Sequence, residues 1–194
     1  MADKAPEDMS IDEIKQFLLR TPTEILEYAK NRAGMRTKTI PGRYPVEYDP
    51  IRRYCHMIDD LNPLYLDKDY AQKAGFADVV CPPLLVGYFG GQGVWPPGQE
   101  FGPRLMAVPR LPVAHFAEGA RSDINMATEY EFYKPVVVGD WLSSYSRIGE
   151  TYMKAIKRDP EALWFVMERV MLNQDGEEVA ISKTIQVGWR REIK

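Results

Sequence analysis

The sequence predicts an α+β domain in which one central helix packs on a curved antiparallel sheet, preceded by a helical hairpin at the N-terminus. Three observations lead to this prediction. Helix start signals lie in the first half of the chain, and an apolar segment entered through two prolines follows them. The C-terminal half is rich in β-branched and aromatic residues and contains a strong hairpin signal. Short helices followed by an antiparallel meander indicate the α+β class.

Two capping boxes predict the N-terminal hairpin. They are Ser10-Ile11-Asp12-Glu13 and Thr21-Pro22-Thr23-Glu24, the second with proline at the first helical position. Gly34 is the predicted C-terminal cap of the second helix. We therefore expect residues 1–36 to form a helical extension and residues 37–194 to form the core domain.

The core domain is predicted to begin with a strand at residues 36–48, interrupted by Pro41-Gly42 and Pro45. Asp49 followed by Pro50 is then typical of a helix cap and first helical position. The apolar face of this helix consists of Ile51, Tyr54, Cys55 and Ile58.

A second group of predicted elements leads into the central helix. Asp67 is expected to cap a short helix at Lys68–Ala74, which Gly75 ends. The apolar segment Leu84–Phe89, entered through Pro82 and Pro83, is predicted to be the buried central helix. A Pro- and Gly-rich stretch at 92–112 follows, and a loop of this length inside a compact domain is usually functional or mobile.

Four strands are predicted in the C-terminal half from their β-branched and aromatic residues, at 129–133, 141–148, 163–172 and 179–189. The sequence Asn173-Gln174-Asp175-Gly176 between the last two strands is a strong hairpin signal.

Composition excludes several classes of protein. The 194 residues suffice for one well-buried domain, and the net charge of −3 comes without a basic face. The densest basic run, Lys154–Arg158, is interrupted by Ala155 and Ile156, which argues against nucleic-acid binding. No apolar stretch approaches the roughly 20 residues of a membrane span, and residues 1–9 do not resemble a secretory signal. We therefore expect no membrane insertion and a cytoplasmic location.

The cysteine and histidine residues do not predict a metal site. Cys55 and Cys81 are far apart in the sequence, and neither His56 nor His115 lies at metal-ligand spacing from a cysteine. Reduced thiols are the simpler interpretation. The sequence also contains no Gly-rich βαβ unit, so we expect no flavin or nicotinamide site.

The most informative spacing is Asp60-Leu61-Asn62-Pro63-Leu64-Tyr65. An acid, a turn-forming Asn-Pro pair and a polar aromatic residue five positions after the acid can direct two functional groups into one pocket. Without further support, Asp60 is better explained as an acid hydrogen-bonded within the turn. Tyr65 is equally well explained as a core residue with its hydroxyl at a pocket rim.

Three segments carry a resemblance to a known family: IRRYCHMIDDLNPLYLDKDY at 51–70, FADVVCPPLL at 76–85 and EYEFYKPVVVGDWL at 129–142, followed by the NQDGEEVA hairpin. Their order and spacing resemble the MaoC-like dehydratase and R-specific enoyl-CoA hydratase group. Within it, the chain resembles the branch matching the N-terminal half of two-domain acyl-CoA dehydratases. The resemblance covers roughly residues 40–190 and implies a hot-dog fold.

The resemblance also implies a substrate class and a catalytic set. The group binds acyl-coenzyme A thioesters, and its catalytic members hydrate or dehydrate the 2,3 double bond with an Asp-x4-His motif. Asp60 corresponds to the acid and Tyr65 to the histidine, and Asn62 is grouped with them. Coenzyme A is expected only as part of the substrate, without a separate cofactor.

Further residues are assigned to substrate binding. Since Pro82 and Pro83 have no N–H, the amides of Leu84 and Leu85 are the first candidate donors to an enolate oxygen, although the prolines also simply fix the helix entry. Gly87 allows a pantetheine arm to approach, or the helix to pack on the sheet. Arg104 is a candidate for coenzyme A phosphates. The full set is Pro83, Leu84, Leu85, Gly87, Trp95, Arg104 and His115.

Because tyrosine, with an ordinary pKa of about 10, is a poor general base at neutral pH, three hypotheses remain open. In the first, the chain is one subunit of a heteromer whose partner carries the intact Asp-x4-His motif. In the second, it is a self-sufficient hydratase using Asp60 with Tyr65 or with a histidine such as His115. In the third, it is a thioesterase or a non-catalytic thioester-binding module. An exposed sheet edge favours pairing with a second, identical or homologous, hot-dog subunit.

Overall fold

The computed structural model describes residues 21–37, 39–90 and 121–190. Its five strands form one antiparallel sheet in the order β1-β3-β4-β5-β2. The strands are β1 (Ile40–Pro41), β2 (Arg121–Phe132), β3 (Ser143–Met153), β4 (Leu163–Leu172) and β5 (Glu178–Arg190). The helices are α1 (Pro22–Lys30), α2 (Tyr48–Ile58), α3 (Pro63–Leu66), α4 (Lys68–Lys73) and α5 (Val86–Phe89), the last preceded by a 3-10 turn at Pro83–Leu85.

One face of the sheet, here called the inner face, carries the core. Along β4 the side chains of Leu163, Phe165 and Met171 point to this face, because alternate residues of a strand share a side. Helix α1 packs there against Leu163 and Phe165. The residues of α5 pack farther along the same face, in the cluster that includes Met171. The opposite, outer face carries Trp164 and Val170. The predicted α+β hot-dog architecture is confirmed.

The sheet was predicted best where side-chain pattern and turn chemistry agree. The predicted strand at 163–172 coincides with β4, and the predicted hairpin joins β4 to β5. In that turn Asn173 Oδ1 accepts the N–H of Asp175 at 3.1 Å and of Glu177 at 2.9 Å, and Gly176 has a φ of +78°. Strands β2 and β3 extend farther than predicted, and β3 passes a bulge between Ile148 and Thr151.

Other predicted boundaries were wrong. The first strand is reduced to Ile40–Pro41 and an isolated bridge from Arg36 to Arg147, since prolines remove the donors that a longer strand needs. Helix α2 begins at Tyr48 rather than after Asp49, and Asp49 instead bonds Arg52 and Arg53 in the first turn.

The second predicted N-terminal helix is present as α1, with Thr21 and Glu24 forming the predicted capping box. It ends at Lys30 rather than at Gly34. Gly34, with a φ of +81°, instead directs the chain toward the sheet and donates its N–H to the Ile148 carbonyl at 2.9 Å. The first predicted helix lies outside the described residues, so the hairpin stays a prediction. None of the helices within the described ranges is long and apolar enough to cross a membrane.

The central helix is less enclosed than predicted. Leu85, Val86 and Phe89 are buried in the core cluster, but the side chains of Leu84 and Tyr88 are 59% and 66% exposed. The sequence 84–89 is apolar all round and therefore gives no sign of which side faces the sheet.

Candidate functional site

The Asp60–Tyr65 segment begins at a reversal of the chain. Helix α2 ends at Ile58, and Asp59 adopts the left-handed conformation with a φ of +57°. The N–H of Asp60 then donates to the Cys55 carbonyl at 2.9 Å. This backbone conformation starts the loop beside the buried face of α2, where Cys55 lies.

The side chains of Asp60 and Asn62 organise the loop. Asp60 Oδ1 accepts the N–H of Asn62 at 3.2 Å, and Asn62 Oδ1 accepts the N–H of Leu64 at 3.1 Å. Asn62 is therefore the N-cap of α3, and its side-chain oxygen has a structural partner. The turn role that the sequence suggested for Asp60 is present as well, because one carboxylate oxygen is used in the loop.

Backbone hydrogen bonds hold this loop beside the start of the central helix. The N–H of Val80 donates to the Leu64 carbonyl at 2.9 Å, and the N–H of Cys81 donates to the Val136 carbonyl at 2.8 Å. The residue after Leu64 is Tyr65, which is half-buried and packs against the core cluster containing Cys55, Cys81 and Leu85. The five-residue spacing thus places Tyr65 next to the entrance of the central helix.

The electrostatics show that these groups lie together. Burial raises the pKa of the Tyr65 phenol, and the charge of Asp60 and the two cysteines raise it further. Burial and the charge of Asp60 also raise the pKa of the Cys55 thiol. For Cys81, burial with a smaller contribution from Cys55 raises the pKa to about 12. The phenol and both thiols are therefore protonated at neutral pH.

This arrangement determines what Tyr65 can do chemically. A neutral phenol can donate a hydrogen bond to a water molecule or to a carbonyl oxygen. It cannot take a proton from water at neutral pH, because its pKa lies above the ordinary value of about 10. Within this group, the Asp60 carboxylate remains as a hydrogen-bond acceptor.

The two predicted amide donors differ in availability. The N–H of Leu85 donates to the Pro82 carbonyl at 2.9 Å, and this bond closes the 3-10 turn. Leu85 is therefore engaged in the turn, and Leu84, the first residue after the two prolines, remains the candidate donor. Pro83 is exposed at this entrance.

Gly87 and Gly90, in and just after the central helix, differ in how much space a side chain would have. A Cβ on Gly87 would meet nothing within 4 Å among the described residues, so tight packing on the sheet does not explain this glycine. A Cβ on Gly90 would lie 3.2 Å from Met171 Cγ, so close packing does explain that one. Space beside Gly87 fits the predicted approach of a ligand.

Several predicted or discounted residues do not belong to this group. His56 is exposed on α2, as its position on the polar flank predicts. Trp95, Arg104 and His115 lie outside the described residues, and their substrate-binding roles stay predictions.

Sequence reasoning missed two contributors to the site. Cys55 and Cys81 were interpreted only as separate reduced thiols, whereas both belong to the core cluster against which Tyr65 packs. Their proximity depends on the packing of α2 against the segment before α5. The only signal in the sequence was the position of Cys55 on the apolar face of α2.

A family model described as "FAS1-like, dehydratase domain region" matches residues 32–182, which is more than half of the chain. Among curated proteins, a UPF0336 protein of Thermobifida fusca is 26% identical over 152 residues, covering 78% of this chain and 88% of that protein. A probable enoyl-CoA hydratase alpha subunit of Thermomonospora curvata is 25% identical over 149 residues, covering 77% of this chain. The match spans only 45% of that subunit.

A solved structure supports the fold independently. The ChsH1-ChsH2 complex from Mycobacterium tuberculosis contains a chain that superposes with a TM-score of 0.68 at 20% identity, covering 87% of this chain and 96% of that chain. At this level of identity the likeness establishes the fold alone. The family match shows that the chain belongs to the FAS1-like dehydratase-region family, and the superposition shows its hot-dog fold.

Proposed function

We propose that this chain is the acyl-CoA thioester-binding subunit of an enoyl-CoA hydratase or 3-hydroxyacyl-CoA dehydratase. Its partner is a second hot-dog subunit that carries the intact Asp-x4-His motif. The reaction adds water across, or removes it from, the 2,3 double bond of the acyl group, and coenzyme A enters only as part of the substrate.

The observation that carries this proposal is the pairing of Asp60 with a tyrosine whose pKa is raised. Hydration requires a base that takes a proton from water as its oxygen attacks C3, and it requires donors for the enolate-like thioester oxygen. Tyr65 and the Leu84 amide can supply donors. Among the residues that the structure describes, this group has no histidine to act as the proton acceptor, so it supplies a binding site and only half of the acid/base pair.

The names of the relatives support a subunit role. The Thermomonospora curvata protein is described as an alpha subunit, which implies a second, different subunit for that protein. The ChsH1-ChsH2 structure is a complex of two named chains. This chain spans about half the length of the hydratase alpha subunit it matches, so the substrate and partner of that whole protein come to this chain only as proposals.

The sheet edge offers a place for the partner. Strand β2 lies at the end of the strand order and pairs only with β5 among the described strands. Tyr130 and Phe132 on this strand are 36% and 44% exposed. A long edge strand with exposed apolar side chains is a template for pairing with another sheet.

The decisive experiment compares the chain alone with the chain co-expressed with a neighbouring gene product of similar size. Hydration of crotonyl-CoA and of bulkier enoyl-CoAs is followed, together with release of free coenzyme A thiol. We expect hydration only from the co-expressed pair. Substitution of the aspartate or the histidine in the partner's Asp-x4-His motif should abolish that activity. Robust hydration by the lone chain would contradict the proposal. Release of free coenzyme A thiol without hydration would instead favour a thioesterase.

A further inference from the structure

The outer face of the sheet holds a pocket at the end opposite to the Asp60–Tyr65 group. Its volume is about 720 Å³, within the range of about 300–1,000 Å³ typical of small-molecule sites. The cross-strand row Trp164, Val187 and Ile124 runs over three neighbouring strands and forms its floor. The remaining lining residues are Met126, Ile156, Lys157, Arg158 and Trp189.

Two cations lie at the rim of this apolar floor. The turn between β3 and β4 is closed by reciprocal backbone bonds between Ile156 and Asp159, at 2.9 and 3.2 Å. This places the exposed Lys157 and Arg158 at the tip of the turn. Asp159 is buried, and its carboxylate accepts the N–H of Glu161 at 2.9 Å within the turn. Neither Lys157 nor Arg158 forms an ion pair with any residue of the described ranges.

The Trp164 ring, which forms part of the pocket floor, is held in place by a hydrogen bond and by ring stacking. Trp164 Nε1 donates to the Lys154 carbonyl at 3.0 Å, and the Trp164 ring stacks on Tyr152 with 6.0 Å between ring centroids. The Lys154 ammonium lies 5.7 Å from the same ring. A ring held in this way next to two cations suits a ligand that has both an apolar ring system and a negative charge.

The pocket is separate from the proposed thioester site. Tyr65 packs against the cluster that contains Val179, whereas the pocket contains Val187 on the same strand. Eight residues of extended strand span on the order of 25 Å. The two sites also lie on opposite faces of the sheet. A thioester held at Tyr65 therefore does not account for this pocket.

We propose that the pocket binds a small amphipathic anion, namely an aromatic or branched apolar group that carries a carboxylate, sulfonate or phosphate. The apolar group lies on the row Trp164, Val187 and Ile124, and the anionic group meets Lys157 and Arg158. The basic run that the sequence shows at Lys154–Arg158 then has a function that does not involve nucleic acid.

The test uses anilinonaphthalenesulfonate as the anionic probe and uncharged N-phenylnaphthylamine as its neutral counterpart, with the full chain. Binding is followed by probe emission and by quenching of tryptophan fluorescence. We expect saturable one-to-one binding of the sulfonate. It should weaken about tenfold or more in Lys157→Glu/Arg158→Glu, while binding of the neutral probe changes little. Ile124→Glu places a carboxylate on the floor of the pocket. This substitution should weaken binding of the sulfonate probe by at least as much.

Two controls separate this site from other effects. Lys30→Glu/Lys73→Glu makes the same change in net charge on α1 and α4 and should leave the affinity for the sulfonate unchanged. Asp60→Asn should also leave it unchanged, so that failure of the thioester proposal does not affect this one. Absence of saturable binding, or equal binding by wild type and by Lys157→Glu/Arg158→Glu, overturns the proposal.

Discussion

Burial, and to a smaller extent the carboxylate of Asp60, raises the pKa of the Tyr65 phenol five residues after that acid, on the edge of a core cluster that also holds two neutral thiols. The acid therefore lies close enough to the aromatic residue to influence its protonation. The aromatic residue, however, is held in its protonated form, which suits donation of a hydrogen bond and not abstraction of a proton.

Replacing Tyr65 by histidine should therefore introduce the missing base. We expect Tyr65→His to raise crotonyl-CoA hydration by the lone chain by about 100-fold or more over the wild type, the usual contribution of a positioned general base. Steady-state kinetics would measure this. Tyr65→Phe is the matched control and should produce no gain. A gain that persists in Tyr65→His/Asp60→Asn would show that Asp60 is not the second member of the pair.

The pH dependence of Tyr65 tests its environment. Ultraviolet difference titration against Tyr65→Phe should give a Tyr65 pKa above the ordinary value of about 10. Asp60→Asn should lower this pKa, though only in part, because burial is the larger cause of the shift.

The same shift predicts how stability depends on pH. As the pH rises, the unfolded chain loses the Tyr65 proton before the folded chain does. The stability that the raised pKa contributes is therefore present below about pH 10 and is lost as the pH rises through the folded pKa. An unchanged pKa in Asp60→Asn would contradict the proximity of the two groups.

Cys81 should be chemically inert in the folded chain. With its pKa raised to about 12 from 9.0, its thiolate population at pH 8 is about 1,000-fold below that of an unperturbed thiol. We expect iodoacetamide to label Cys81 slowly in native protein and rapidly in urea, as measured by mass spectrometry of the peptides. Equal labelling rates in the two conditions would mean that the thiol is neither buried nor shifted.

Two glycines offer a matched pair for stability. A Cβ on Gly42 would lie 2.4 Å from the Phe89 carbonyl oxygen and 2.8 Å from that of Leu142, both of them backbone atoms. We expect Gly42→Ala to lower the free energy of unfolding by about 1–3 kcal/mol or more, as other overpacking changes do. Gly87→Ala meets nothing within 4 Å and should raise it by about 0.5–1 kcal/mol through reduced chain entropy. Urea denaturation measures both, and similar effects of the two substitutions would contradict the packing described here.

The elements that were predicted well are those whose signals are local. The ends of β4 coincide with the predicted strand because turn-forming residues flank a β-branched and aromatic run. Asp67 caps α4 as predicted, with its side chain accepting the N–H of Tyr70 at 3.0 Å. Asp49 shows the limit of a local signal, since a residue that could cap the helix bonds two arginines of the first turn instead.

Only the part of the candidate site that lies within one loop could be predicted from the sequence. The spacing from Asp60 to Tyr65 is visible in the sequence, and so is the departure from the family motif. The approach of Cys55 and Cys81 to Tyr65 depends on contacts between distant segments, such as the bond from Val80 to Leu64, which no periodicity reveals. The exposure of Leu84 was hidden for the opposite reason, because a uniformly apolar segment does not indicate its outward side.

Arg169 on the inner face of β4 fastens the far end of the central helix. Its guanidinium donates to the Gly90 carbonyl at 2.7 Å and to Ser144 Oγ at 3.3 Å, and Ser144 Oγ itself donates to the same carbonyl at 2.8 Å. The helix entrance is tied down as well, through Cys81 and Val136. The main chain of this helix is therefore hydrogen-bonded to the rest of the fold at both ends. Under the proposed function, accommodation of acyl groups of different shape would fall to the exposed side chains of Leu84 and Tyr88, which makes these two residues the first places to alter substrate preference by design.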